Sequence, residues 1–344
     1  THLNNPSQSR IIMSKLRIGV LSTAAIGVQK VIPAMQQGLL TEVAAISSRS
    51  AEKARTAAAE LGIEKHYGSY EELLADPEID AVYNPLPNHL HCPWSKKAMQ
   101  AGKHVLCEKP LGLTVEEIED LIHTRDECGV IAAEAFMVKS CPQWIEARER
   151  VRRGEIGDLR MIQAFFSYDN QDPENIRNIA DVGGGAMWDI GCYPVVVSRY
   201  LFEREPLRTA AALEFDPVMK TDRLDSVILE FESGQAIFGV STQLVPYQRV
   251  HLFGTRGHLE VVIPFNAPND RPCILRFDSG TLVEAEVTSQ TFPVMDQYTL
   301  QGDDFARAVR EGAEIKSTLE DGLANSKAIN AIFTAGREKR WVTI

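Results

Sequence analysis

Residues 104–128 read HVLCEKPLGLTVEEIEDLIHTRDEC. The apolar run 104–107 predicts a strand. Residues 115–128 predict a helix, with Thr114 as N-cap and Glu117 three residues on, the spacing of a capping box. Between them stands Glu108-Lys109-Pro110. Proline fixes its own φ and restricts the preceding residue to extended conformations, so the Lys109 side chain is aimed. In an open parallel sheet, ligands bind beyond the carboxyl ends of the strands. A lysine held there is a candidate proton-transfer group. The fold turns on whether this strand–turn–helix unit repeats.

It does. Strands are expected at 16–21, 43–47, 81–84, 104–107 and 130–133. Helical segments are expected at 26–36, 51–61, 71–74, 93–101 and 115–128. The alternation predicts an α/β chain with a Rossmann-type, doubly wound parallel sheet over 16–137. The pattern then changes. A helix over 142–153 leads into strand-like runs at 160–167, 210–215, 226–231, 236–242, 248–254, 257–263 and 281–286. A helix near 193–202 and two more near 303–311 and 319–339 complete it. This predicts a second α/β domain, 138–344, on a large, open-faced, mostly antiparallel sheet. Residues 1–15 are polar and lack the apolar core of a signal peptide. They are read as a flexible N-terminal extension outside the fold.

The chain has 344 residues, 44% hydrophobic and 24% charged, and carries a net charge of −11. At roughly 150 residues per domain, that makes two domains with ample core material. No run of eighteen apolar residues occurs, so no transmembrane helix is expected. The acidic balance argues against nucleic acid or an anionic membrane as partner. None of Cys92, Cys107, Cys128, Cys141, Cys192 and Cys273 forms a C-x-x-C pair. Free thiols in a reducing cytoplasm are the expectation. His89 and His91, two apart, are weak metal evidence, and no metal is expected.

The first strand-to-helix turn is Ser22-Thr23-Ala24-Ala25-Ile26-Gly27. A G-x-G-x-x-G fingerprint would place glycines at 22, 24 and 27, and only Gly27 is present. Serine and alanine are the smallest replacements, and the turn still delivers a helix N-terminus to a pyrophosphate. The second strand ends Ser47-Ser48-Arg49-Ser50 with no acid for a ribose 2′-hydroxyl. Ser48 and Arg49 suit a 2′-phosphate, which favours NADP with NAD as the alternative. Ser48 or Ser50 would equally cap the next helix. The third strand leads into Asn84-Pro85-Leu86-Pro87-Asn88-His89-Leu90-His91. Its prolines stiffen a loop over the cofactor, and Asn84, Asn88 and His91 offer groups for ribose or nicotinamide. With Glu108 and Lys109 these make the expected cofactor set.

Four segments carry a resemblance: GVLSTAAIG, YNPLPNHLH, CEKPLGLT and GGGAMWDIGCYP. In this order and spacing the chain resembles the Gfo/Idh/MocA family of glucose–fructose oxidoreductases and inositol dehydrogenases, over essentially all of 16–340. The resemblance implies NAD(P)-dependent oxidoreduction, often of sugars or cyclitols, with Lys109 lining the substrate pocket beside the nicotinamide. Many relatives carry histidine where this chain has Tyr193. That is similar to the dimeric dihydrodiol dehydrogenase and aldose dehydrogenase branch, in which tyrosine is the implied acid/base. The family also includes dinucleotide-binding regulators without catalysis, a rival that Lys109, Asp189 and Tyr193 together argue against.

The expected enzyme is an NADP-dependent oxidoreductase acting on an aldose-like hydroxyl or carbonyl. Oxidation of trans-dihydrodiols is the alternative. Lys109 and Tyr193 handle the proton, with the carrier left open between them, and Lys109 lowers the phenol's pKa by proximity. Asp189, four residues before Tyr193 and so on the same helix face, holds Lys109 or the substrate. Phe136, Met137, Arg177, Asn178 and Trp188 are expected as pocket walls. The glycines at 183–185 are expected to bring backbone close to something flat. Strands from 226 to 263 are apolar and helices few, which predicts a homodimer or higher assembly through the second sheet.

Overall fold

The computed structural model describes residues 14–283 and 285–344. Most of the expected N-terminal extension therefore lies outside the described residues. Lys15 is already part of the fold, its ammonium donating to the Gly38 carbonyl at 2.9 Å.

The first half alternates as its periodicity demands. In chain order it is β1 (Leu16–Leu21), a π turn (Gly27–Val31) continued by α1 (Ile32–Gln36), β2 (Thr41–Ser47), α2 (Ala51–Leu61) and β3 (Lys65–Tyr67). Then come α3 (Tyr70–Ala75), β4 (Ala81–Asn84), α4 (His91–Gln100), β5 (His104–Cys107), α5 (Val115–Cys128) and β6 (Ala132–Glu134). The sheet order is β3-β2-β1-β4-β5-β6, with every neighbouring pair parallel. The order of winding reverses between β1 and β4, the switch point where doubly wound sheets open a crevice. Thr114 and Glu117 form the capping box that starts α5. Gly62 and Gly129, both left-handed, stop α2 and α5.

The second half comprises α6 (Pro142–Arg152), β7 (Leu159–Asp169), a π turn (Met187–Gly191) running into α7 (Cys192–Phe202), and β8 (Arg208–Phe215). After them come β9 (Asp222–Phe231), β10 (Gly234–Ser241), β11 (Gln243–Gly254), β12 (His258–Val261), β13 (Cys273–Asp278), β14 (Thr288–Phe292), α8 (Gln297–Glu311), α9 (Leu319–Glu338) and β15 (Val342–Thr343). The sheet order is β14-β13-β12-β11-β7-β10-β9-β8-β15. The sheet is mixed, because β7 and β10 run parallel while the other pairs are antiparallel. Helix α7 is buried on nearly every side and shares one core with the inner sheet face, Trp144 of α6 and Ile329 and Ile332 of α9.

Three expectations need correction. In place of the strand expected over 281–286, residues 282, 283, 285 and 286 form turns and Leu282 and Val283 point into solvent, with residue 284 outside the described residues. Asp278 caps the amides of Gly280 and Thr281 and so turns the chain early, and the strands lie on either side, in β13 and β14. The helix expected over 26–36 begins as a π turn. Helix α8 does not stay with the second sheet. The Asp303 carboxylate accepts from Leu39 and Leu40 amides, and Phe305 and Ala306 join the core of the first sheet beneath α1. Among the described residues no helix is long and apolar enough to cross a membrane.

Candidate active site

Lys109 leaves the carboxyl end of β5 and crosses to the second sheet. Its ammonium donates to the Asp189 carbonyl at 2.6 Å and to Asp189 Oδ1 at 3.4 Å, and lies 4.9 Å from the centre of the Tyr193 ring. Only 13% of its side chain meets solvent. Burial alone would strip its charge, but Asp189, with smaller help from Cys192 and Glu108, offsets it and holds the lysine pKa above its ordinary value. Burial likewise works against the Asp189 charge, yet Lys109 and Arg177 hold that carboxyl down at about 2. The other Asp189 oxygen accepts from Arg177 Nε at 3.1 Å and the Tyr168 hydroxyl at 2.6 Å. Tyr168, on β7, is a site residue that the sequence reading missed. Its alternating strand gave no reason to prefer it over its neighbours.

A π turn carries Asp189. Such turns insert one extra residue into a helix and recur at functional sites. Here the Asp222 carboxylate, from β9, accepts the Met187 amide at 2.6 Å and caps the turn's start. The preceding glycines approach protein rather than a flat ligand, which corrects the expectation. A Cβ at Gly184 would lie 2.7 Å from the Arg177 and Ile179 carbonyls, and one at Gly185, whose φ is +117°, would collide with Asp222.

Tyr193 sits among Phe136, Phe166 and Phe265, with its hydroxyl 3.7 Å from the Met137 sulfur. Burial, reinforced by Tyr298, Cys192 and the Glu108 and Asp189 charges, lifts its pKa well above 10. The expected lowering by Lys109 is therefore wrong. The ammonium lies over the ring face, a cation–π placement, and the buried phenol stays neutral. Glu108 accepts the Tyr83 hydroxyl at 2.6 Å and stays out of solvent, with its pKa raised by burial.

The cofactor residues divide into two groups. Ser22 adopts φ +83°, the left-handed region a glycine would favour, and its hydroxyl accepts the Ala24 amide at 3.2 Å. Thr23, Ala24 and Ile26 remain partly accessible beside it, and Gly27 is buried with Pro85 3.5 Å from its Cβ position. The small turn, the β1/β4 switch point and accessible backbone fit a dinucleotide's pyrophosphate. Arg49 stands exposed beyond β2. Ser48, nearly buried, accepts the Ser50 amide, and Ser50 caps α2.

Asn84 and His91 are consumed internally and correct the expectation that they touch cofactor. Asn84 donates to the His91 carbonyl and to Ser95, and accepts from Leu86, itself buried. His91 bridges the carbonyls of Pro110 (2.7 Å) and Leu86 (2.6 Å). Burial pushes its pKa down to about 4, against the pull of those carbonyls. Asn88 ties its loop to the Gly183 carbonyl at 2.8 Å. Among the expected walls, Arg177 reaches the site. Trp188 packs on Phe333, Phe136 and Met137 surround Tyr193, and Asn178 latches Asn170 and Asp172. These four are buried, so they do not stand as open walls.

Comparisons with known proteins agree with this geometry. Residues 16–136 match the profile described as an oxidoreductase family with an NAD-binding Rossmann fold, GFO_IDH_MocA, and residues 144–260 match the GFO/IDH/MocA C-terminal domain. An uncharacterized oxidoreductase of Rhizobium meliloti is 46% identical over 96% of this chain and 100% of its own. A D-xylose 1-dehydrogenase (NADP(+)) of Haloferax volcanii is 37% identical over 92% of this chain and 96% of its own. The solved 3-ketoreductase KijD10 of Actinomadura kijaniata, in complex with NADP and TDP-benzene, superposes with a TM-score of 0.87 at 29% identity, covering 94% of this chain and 98% of that one.

The Asp189 pair has a pH signature. Its carboxyl pKa is lower in the folded chain, so its stabilisation is complete above the unfolded value of 3.8 and is lost as pH falls through about 2. Asp189→Asn is expected to cost roughly 2–3 kcal/mol near neutral pH, read by urea denaturation. The difference from wild type should shrink by about half near pH 3. A difference that stays constant down to that pH speaks against the pair.

Proposed function

Because this chain belongs to the GFO/IDH/MocA oxidoreductase family, we propose that it is an NADP-dependent oxidoreductase acting on an aldose-like polyol or its carbonyl form. The observation that carries this is the Lys109 ammonium, held charged between Asp189 and the Tyr193 ring at the mouth of the dinucleotide crevice. NADP supplies or accepts the hydride when bound. The chain's residues orient the substrate oxygen and manage its proton. With Lys109 cationic and Tyr193 neutral, the resting site is stocked with proton donors, which suits stabilising an alkoxide or protonating a carbonyl oxygen. Arg177, half-exposed at the same carboxylate, offers its outer nitrogens to substrate hydroxyls. Use of NADP by a xylose dehydrogenase and a ketoreductase of similar sequence supports the cofactor and the sugar-like substrate. Five buried free thiols suit a reducing cytoplasm.

The test is a panel of aldoses beginning with D-xylose, cyclitols, 1,2-dicarbonyls and arene dihydrodiols with NADP or NAD, followed by nicotinamide absorbance. Lys109→Met and Tyr193→Phe should each lower kcat by about 10²–10⁴-fold with NADP affinity within a few-fold. The double variant should be little worse than the poorer single one. Near-normal turnover by Tyr193→Phe would leave Lys109 as the proton carrier.

Arg49 is assigned to the 2′-phosphate. Arg49→Ala should weaken NADP by about 1.5–3 kcal/mol and NAD far less. Equal affinity of the wild type for both cofactors refutes this.

The outer face of the second sheet is assigned to a second copy of the chain. Phe165, Ile228, Ile237 and Tyr247 line an open groove of about 740 Å³ there, whose lining comes from strands alone among the described residues. A sheet face packs on its own copy about a two-fold axis without new chemistry. Sedimentation at micromolar concentration should show a dimer or larger, and only monomer refutes it.

A further inference from the structure

Lys109 can work only if the three residues around it hold still, and the chain fixes them at several points. Glu108 is held by the Tyr83 hydroxyl, and the Pro110 carbonyl lies 2.7 Å from His91 Nδ1. The Leu111 carbonyl receives the Cys92 thiol at 3.4 Å, and the Leu111 amide donates to Glu134 Oε1 at 2.7 Å. Of these anchors, Glu134 is the one whose carboxyl serves no other described hydrogen bond. It is the last residue of β6, and 2% of it is exposed. The strand end that carries it is itself pinned, since the Glu134 amide donates to Ser317 and the Ala135 amide to the Cys107 carbonyl. Its other oxygen, Oε2, is buried with no hydrogen-bond partner among the described residues, facing the start of α9 where a Cβ at Gly322 would come within 3.1 Å.

Beside it lies an ion network that joins the other halves of the site. Asp321, in the first turn of α9, pairs with Lys139 and, at 3.0 Å, with Arg199 of α7. Lys139 follows Met137, which meets the Tyr193 hydroxyl, and α7 carries Tyr193 itself. Glu134 thus stands where the Lys109 turn meets the frame that holds Tyr193.

We propose that Glu134 is a positioning residue for Lys109, holding 109–111 through the Leu111 amide so that the ammonium stays between Asp189 and the Tyr193 ring. The proposal rests on the reading that Lys109 manages the substrate's proton. It also predicts a pH response. The charged and titratable groups facing Glu134 are Asp321 on α9, Lys139 in the 137–140 turn, Arg199 and Cys192 on α7, Cys107 on β5 and Cys92 on α4. Burial, with Asp321 adding to it, lifts the Glu134 carboxyl to about 8, against the Leu111 amide, Lys139 and Arg199. The anchor is neutral below that pH and charged above it.

The test uses the full chain labelled with [13Cε]lysine, the Lys109 resonance being assigned as the one missing in Lys109→Met. In wild type that resonance should move with a midpoint near pH 8. In Glu134→Gln, which keeps an acceptor oxygen but cannot ionise, it should start at the wild-type position and not titrate there. In Glu134→Leu, which has no acceptor, it should be displaced at every pH. Turnover of D-xylose with NADP should follow, within about threefold for Gln and down about ten- to a hundredfold for Leu, with NADP affinity unchanged, as expected of a small misplacement of a reacting group. A Leu variant whose resonance coincides with wild type, or a Gln variant that still titrates near pH 8, overturns the proposal. If the Leu variant does not fold, the Gln titration decides alone. Lys109→Met with full turnover would sink the catalytic reading of Lys109, whereas the resonance reports whether Glu134 places it, so the two failures are told apart.

Discussion

Lys109 brings a full positive charge from the end of the first sheet to the turn that leads into α7, where little solvent can screen it. An ammonium there is tolerable only with a carboxylate in contact and a further acceptor beside it. Asp189 meets both needs with a side-chain oxygen and a backbone carbonyl. Much of the second half of the chain is arranged around that demand. The glycine segment lets the backbone fold tightly over Arg177 and Asp222, Asp222 caps the π turn, and Arg177 and Tyr168 occupy the other Asp189 oxygen. Fixed this way, the carboxylate has little freedom to turn from Lys109 to a passing ligand.

The same constraint bears on the π turn that carries Asp189. A regular α-helix places residues four apart on one face, which for Asp189 and Tyr193 would send both to one side of the lysine. The wider turn offsets them, with the carboxylate on the ammonium nitrogen and the aromatic ring under it. This geometry keeps the phenol away from the carboxylate and leaves it an undissociated donor in an apolar box.

Much of this was legible in the sequence where local chemistry is strong. The parallel sheet followed from its alternation, and α2, β4, β5 and α5 occur at their expected limits because caps, glycines and prolines mark them. Lys109 and Asp189 meet, and Arg177, expected as a pocket wall, joins them at the carboxylate. What could not be read is what depends on distant partners. β3, β13 and β15 are short or weakly patterned and exist because a neighbour strand offers hydrogen bonds. The 281–286 run has strand composition, yet Asp278 ends the preceding strand with a tight turn. Asn84 and His91 look like ligand groups in the sequence, but only the fold shows carbonyls and amides already using them. Tyr168 looks like any other tyrosine on an alternating strand until Asp189 is placed beside it. The direction of the Tyr193 shift also needed the structure, because proximity to a cation says nothing about which part of the phenol it faces.

On the proposed reading that Lys109 and Tyr193 manage the substrate's proton, their protonation states place a demand on the reaction. Asp189 is held ionised while Lys109 stays charged and Tyr193 neutral, each against or with a burial cost that the neighbouring groups set. A site so poised gives up a proton to a carbonyl oxygen without first recruiting one from water. In the reverse direction it must take a proton into a group already protonated, so a donor has to relay its own proton outward as the substrate's arrives. Lys109 can do that without leaving its place, since an ammonium contacts Asp189 through two of its three hydrogens and retains a third for the reacting oxygen. Tyr193 has one hydrogen and lies deeper among aromatic rings. The division of labour that costs least reorganisation therefore has the lysine nearest the exchanging proton and the tyrosine as a fixed dipole beside it.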